Sequence, residues 1–183
     1  MEKNDYALVA YLPGRLGAFV DKLRHRFNPA LAAWLPHVTI LPPRTLAASQ
    51  EEMLPLMRDR CAVVAPFDAT VHGAATFWPV SGVVYLSFSS GSQHLRQLHD
   101  DLNTGSLQQR EVHPYVPHIT IAQELDEEHT QAVLADVKRE WSMHDFNKSF
   151  RIELLSLVQY TLENKWRTVT EVSLGDRMAL SKR

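Results

Sequence analysis

Pro36-His37-Val38-Thr39-Ile40 recurs, with one aliphatic residue exchanged for another, as Pro117-His118-Ile119-Thr120-Ile121. Both copies are rich in β-branched residues, a composition that favours strand. Successive side chains of a strand point to opposite faces, so His37 and Thr39 share one face and Val38 and Ile40 the other. His118 and Thr120 stand over Ile119 and Ile121 in the same way. Each strand therefore offers an imidazole and a hydroxyl, with aliphatic anchors behind them. One His-x-Thr triplet carries little weight in a chain with nine histidines, whereas two five-residue copies 81 positions apart carry a great deal. If a pseudo-two-fold axis relates the copies, two histidines and two threonines converge on one groove.

Outward from the motifs, the composition narrows the class. A chain of 183 residues, 45% hydrophobic and 22% charged, suits a single globular domain (1–183) made of two fused lobes, each supplying one His-x-Thr strand. The net charge of −2 excludes the global basic field that grips nucleic acid non-specifically, so any nucleic-acid contact must be local. The single cysteine, Cys61, excludes an intrachain disulfide framework and a Cys-based zinc site and suggests a reducing compartment. The apolar run at 6–12 is too short for a membrane span and lacks a small-residue cleavage site. The expectation is a cytoplasmic protein, without membrane or obligate protein partner, and monomeric.

Turn and cap signals divide the rest. A strand over 6–12 is broken by Pro13-Gly14, and helical spacing of Leu16, Phe19, Val20, Leu23 and Phe27 predicts a helix over 15–27. The first motif strand follows at 37–41, closed by Pro42-Pro43. Ser49-Gln50-Glu51-Glu52 has the form of an N-cap and opens a helix to about residue 62. Strands are predicted at 67–77 and 83–88, and a helix at 92–103 with Leu95, Leu98 and Leu102 on one stripe. The second motif strand spans 117–122, and Asp126-Glu127-Glu128 opens a helix to about 141. Strands at 150–161 and 166–174 close the chain as a hairpin across Leu162-Glu163-Asn164-Lys165. The order β-α-β-α-β-β-α-β-α-β-β contains helix, motif strand, helix and two strands twice in succession, the pattern of an internal duplication.

Histidine is the side chain able to serve as acid or base near neutrality. Two such residues can act together, one as a base for an attacking nucleophile and the other as an acid for a departing oxygen. His37 and His118, facing across a groove, supply the pair, each contributing roughly 10²–10⁴-fold. Thr39 and Thr120 can donate hydrogen bonds to oxygens on which negative charge builds during such a reaction. No acidic residue stands at metal-ligand spacing from either histidine, and threonine is a poor transition-metal ligand, so neither metal nor cofactor is expected. Arg44 is a candidate phosphate contact, and Tyr85 and Tyr115 are candidates for stacking on a base. The run Lys22, Arg24, His25, Arg26 reads as a solvated helix face. His94 and His99 read as surface residues.

Two His-x-Thr motifs about 80 residues apart in duplicated α/β lobes resemble the 2H phosphoesterase superfamily, and within it the bacterial 2′-5′ RNA ligase and cyclic phosphodiesterase branch. The resemblance covers most of the chain: 36–44 and 117–123 match the motif strands, and Leu154-Leu155-Ser156-Leu157 and the hairpin at Trp166 match the C-terminal end. It implies an α+β fold, a duplicated two-lobed arrangement with antiparallel sheets lining a central groove. It also implies metal-independent hydrolysis of a 2′,3′-cyclic phosphate, in RNA or a nucleotide, to a 2′-phosphate, together with reversible 2′-5′ RNA ligation. Relatives often place a basic residue just after the second motif, where this chain has Gln123, an amide that can hydrogen-bond a phosphate or base without neutralising charge. The expected partners are RNA ends or small cyclic nucleotides. The alternatives are a non-catalytic RNA-end or nucleotide-binding module, and a phosphodiesterase for a small cyclic nucleotide or an ADP-ribose cyclic phosphate.

Overall fold

The first motif strand lies at the edge of a sheet. In the computed structural model, which describes residues 5–45, 49–161 and 165–176, strand β2 (His37–Thr45) pairs antiparallel with β1 (Asp5–Tyr11). Strand β1 is buried from Tyr6 to Ala10, as its unbroken apolar run requires, because it lies between β2 and β7 (Leu154–Tyr160). Strand β8 (Trp166–Ser173) completes the order β2-β1-β7-β8. The expected stop at Pro42-Pro43 is not one, since β2 runs on to Thr45. An edge strand tolerates missing N–H donors on its unpaired side, and the register slips opposite this stretch, between Tyr6 and Val9.

The second sheet has the order β5-β4-β3-β6, also antiparallel: β3 (Phe67–Thr76), β4 (Val84–Ser90), β5 (Ile119–Ala122) and β6 (Ser149–Ile152). The second motif strand β5 is again at an edge, with His118 just before its first residue rather than inside the ladder. The strands following the first motif thus pair with the second motif strand, while β7 and β8, which follow the second motif, join the sheet of the first. Each sheet is built from both halves of the chain.

The predicted single strand at 150–161 divides at Glu153 into β6 and β7, one in each sheet. Alternation holds as far as buried Ile152, then two successive exposed residues, Glu153 and Leu154, break it, and from Leu155 the chain is buried on both faces as a central strand. The predicted turn at Leu162-Glu163-Asn164 lies outside the described residues.

Four helices cover the sheets. Helix α1 (Gly14–Phe27) buries Leu16, Phe19, Val20 and Leu23. In α2 (Gln50–Ala62) the Glu52 carboxylate accepts the Ser49 N–H at 2.9 Å, and Met53, Met57 and Cys61 form the inner stripe. Helix α3 (Ser92–Leu102) follows β4, and helix α4 (Glu127–Met143), capped by Asp126, follows β5. The anchors Val38, Ile40, Ile119 and Ile121 are fully buried in one shared core, each worth about 1.5–3 kcal/mol of burial. Among the described residues no helix is long and apolar enough to cross a membrane.

Candidate active site

With the aliphatic faces in the core, His37, Thr39, His118 and Thr120 turn to the opposite side. Both threonines are half-buried, and neither hydroxyl has a hydrogen-bond partner among the described residues. Their carbonyls are restrained from across the molecule. Tyr115 Oη donates to Thr39 O at 2.6 Å, and Arg24 Nε donates to Thr120 O at 2.9 Å. The second half of the chain thus braces the first motif, and the first half braces the second.

The two imidazoles are held alike. His37 Nδ1 lies 2.6 Å from Leu35 O, and His118 Nδ1 lies 2.6 Å from Val116 O. A carbonyl only accepts, so each Nδ1 carries its hydrogen and each Nε2 keeps a lone pair in the neutral ring. The intervening Pro36 and Pro117 explain the match. Proline confines the preceding residue to extended backbone, which sets the carbonyl two residues upstream beneath the ring. The repeat therefore begins one residue earlier than the motif, as aliphatic-Pro-His.

Their surroundings differ. His37 is buried under Trp166 (ring centroids 4.7 Å), which stacks in turn on Trp34 at 5.0 Å, and Tyr11 meets its edge at 6.5 Å. Burial, reinforced by the Arg24 cation, pushes the His37 pKa down to about 3, against the opposing pull of the Leu35 carbonyl; His118 is close enough for its charge to add to the lowering. Half-buried His118 meets Phe77 at 5.1 Å and Tyr85 at 5.3 Å, both edge-on, and these two rings stack on each other at 4.2 Å. Burial lowers its pKa as well, opposed by the Val116 carbonyl. A pair of imidazoles with fixed Nδ1–H groups and free Nε2 atoms can accept one proton and deliver another, with two hydroxyls alongside as neutral donors.

The other expected residues divide. Tyr85 pairs with Thr120 across β4 and β5 and stands at His118. Arg44 does not reach the site: it is 3% exposed, and its donors go to Pro42 O, Asn103 Oδ1, Leu107 O and Glu111 Oε1. Its place in the core of the α3 side corrects the expectation of a phosphate contact. Tyr115 is also committed, through its hydroxyl to Thr39 and through its ring, which stacks on His99 at 4.1 Å. Gln123 follows β5 with its carbonyl held by Asn28 Nδ2 at 3.0 Å. His99 is no surface residue; it is buried between Asp100 and Glu111.

The cluster on α1 holds the residue that sequence reading missed. Lys22 and Arg26 pair with Glu140 as a surface face would, but Arg24 is 1% exposed. The signal was its spacing: Arg24 continues the i, i+4 stripe Leu16–Val20 into the core. Trp34, Phe77 and Trp166 had no local signal. Among the described residues, no group of three His, Cys, Asp or Glu side chains is placed to hold a metal ion.

The chain is 31% identical over 173 residues, covering 91% of itself and 96% of the relative, to a protein of Halalkalibacterium halodurans named "Putative phosphoesterase". It is 30% identical over 154 residues to one of the same name from Oceanobacillus iheyensis, covering 81% of this chain and 85% of the relative. The fold matches E. coli LigT complexed with ATP at a TM-score of 0.65 and 20% identity, covering 95% of this chain and 99% of LigT. The family model of the 2′-5′ RNA ligase superfamily matches residues 12–164, a span that contains both motifs, and the chain belongs to that superfamily, the 2H phosphoesterases.

Proposed function

We propose that this protein is a metal-independent phosphodiesterase that opens a 2′,3′-cyclic phosphate to a 2′-phosphate, with His37 and His118 as the acid/base pair and Thr39 and Thr120 on the non-bridging oxygens. The observation that carries this reading is the matched anchoring of the two rings, each Nδ1 on the carbonyl two residues upstream at 2.6 Å. Such anchoring fixes the tautomer and aims both Nε2 atoms, which a binding site alone has no reason to do twice. One Nε2 takes the proton of the attacking water, and the other, protonated, gives its proton to the departing sugar oxygen. The uncommitted Thr hydroxyls donate to the phosphoryl oxygens as charge builds there. With a 5′-hydroxyl in place of the attacking water, the same steps join RNA ends through a 2′-5′ bond.

A small nucleotide substrate is favoured over a long RNA by one observation: Arg44 is spent inside the fold and Gln123 is neutral, so neither supplies a cation for a polymer backbone. E. coli LigT, alike in fold, has been solved with 3′-AMP and with ATP, ligands of the same small class.

The test incubates the purified protein, with EDTA present, with a nucleoside 2′,3′-cyclic phosphate and with a short RNA bearing the same end, and resolves the product isomers. The expected result is a 2′-phosphate, lost on His37→Ala and on His118→Ala with the fold intact. Full turnover in either variant, or turnover abolished by EDTA, rules the mechanism out. A steep fall in affinity with salt for the RNA would shift the substrate from the nucleotide to the polymer.

A further inference from the structure

We propose that Arg24 is a positioning residue of the two-histidine site: its guanidinium fastens the first motif to the second and makes the two histidines unequal. What the site does rests on the phosphoesterase reading above, while the fastening itself rests on geometry alone.

The guanidinium lies among three main-chain carbonyls. Nε donates to Thr120 O at 2.9 Å, and Nη1 donates to Trp34 O at 3.2 Å and to Leu35 O at 3.4 Å. Thr120 carries the hydroxyl of the second motif, and Leu35 O is the acceptor of the His37 Nδ1–H. One rigid fork therefore spans the carbonyl under one histidine and the carbonyl of the opposite threonine. The two motif strands are edges of different sheets, with no ladder between them, so this link fixes their relative position. Lysine keeps the charge but has no planar fork to serve carbonyls on both sides. Buried and with these bonds made, Arg24 does not reach substrate; it acts through the backbone.

The inequality follows from the shared carbonyl. Leu35 O stabilises positive charge on His37 through the Nδ1–H, and a cation drawing on the same oxygen weakens that support. Val116 O, the matching acceptor under His118, has no second side-chain donor among the described residues. The titratable and charged groups bearing on His37 are Arg24 from α1 and His118 from the second motif, while β1 and β8 bring the rings of Tyr11 and Trp166. His118 has the rings of Tyr85 of β4 and Phe77 against it, and its charge bears on His37. Asp21, on α1 itself, acts on Arg24 and supports its charge. The pKa directions agree: burial lowers both histidines, and the Arg24 cation adds to the lowering at His37 alone.

The test uses the full chain as wild type, Arg24→Lys and Arg24→Gln. Long-range nitrogen–proton NMR follows each imidazole between about pH 2.5 and 8, alongside kcat and KM on the cyclic nucleotide. In wild type and R24K, His37 is expected to stay a neutral Nδ1–H ring down to about pH 4. In R24Q its protonation midpoint is expected to rise by about one pH unit or more as the cation leaves. Both variants are expected to lose about tenfold or more in kcat with little change in KM, the mark of misplaced rather than missing groups. R24K with wild-type kcat overturns the positioning role, and an unmoved His37 midpoint in R24Q overturns the inequality. If R24Q does not fold, R24K decides through its split between kcat and KM. If the wild type turns over no cyclic phosphate, the phosphoesterase reading fails, and the His37 midpoints still decide the role of Arg24.

Discussion

Replacing Arg44 by methionine separates the two roles its position after the first motif allows, and the structure commits it to stability. Nε bonds Pro42 O at 3.0 Å, Nη1 bonds Asn103 Oδ1 at 2.7 Å and Leu107 O at 2.8 Å, and Nη2 bonds Glu111 Oε1 at 2.8 Å. Methionine keeps an apolar stem and removes all four bonds. Breaking a buried ion pair from one side costs about 3–5 kcal/mol. The Glu111 side chain is 18% exposed and keeps His99 Nε2 at 3.0 Å, so the carboxylate is not stranded. The lower end applies, about 3 kcal/mol. At about 2–4 °C per kcal/mol for a chain of this size, the thermal midpoint falls by about 6–12 °C. Urea denaturation with an unchanged m-value reads the same loss as a free energy. In the folded protein, KM for a cyclic nucleotide should stay within about threefold of wild type, since no phosphate contact is removed. An R44M variant with wild-type stability and KM raised about a hundredfold would refute the assignment and return Arg44 to the phosphate.

Tyr115→Phe removes the 2.6 Å restraint on Thr39 O; about 1 kcal/mol of stability and about tenfold in kcat should be lost at constant KM, and an unchanged kcat would mean β2 needs no such brace. For pH, His37 is pulled from 6.5 down to about 3 in the folded chain, so below pH 6.5 the unfolded chain binds more protons and stability falls as pH drops. Urea midpoints from pH 7 to 4 should therefore decline, with His37 contributing about 1 kcal/mol per pH unit, and the decline should be shallower in His37→Gln. An unchanged slope in H37Q would contradict a buried, neutral His37. Gly82→Ala would set a Cβ 1.8 Å from Leu125 O, forcing the 78–82 loop off the segment after β5 at a cost of about 1–3 kcal/mol by urea denaturation; a neutral G82A would show that the loop yields freely.

What could be read from the residues was what depends on local period. The His and Thr faces of both motifs follow from alternation alone, and the buried stripes of the helices follow from their spacing. The misreadings share one cause, that identical local chemistry has opposite meanings at different places in a sheet. Pro42-Pro43 would end a central strand but is tolerated at an edge. The run 150–161 is continuously strand-like, yet it serves two sheets, and the double exposure at Glu153 and Leu154 is intelligible only once those sheets exist. Arg24, Arg44 and His99 are polar residues that a surface reading fits, but carbonyls and a carboxylate from distant segments draw them inside.

The interleaving of the sheets explains why a site shared between the halves is held so firmly. Sheet β2-β1-β7-β8 is incomplete without strands that follow the second motif, and sheet β5-β4-β3-β6 is incomplete without strands that follow the first. Strand β2 finds its ladder with β1 in the same half, whereas β5 pairs only with β4, from the other half of the chain. Edge strands have one unpaired side each, and that is where the braces act: Tyr115, from the segment before the second motif, on Thr39, and Arg24, from the helix before the first, on Thr120. Here the chain crosses at Glu153, α1 bonds to β5, and Tyr115 bonds to β2, so a relative shift of the motifs must break buried hydrogen bonds at several points at once. The acid/base reaction proposed for His37 and His118 requires such fixed placement, because proton transfer loses rate steeply once donor and acceptor leave hydrogen-bond reach.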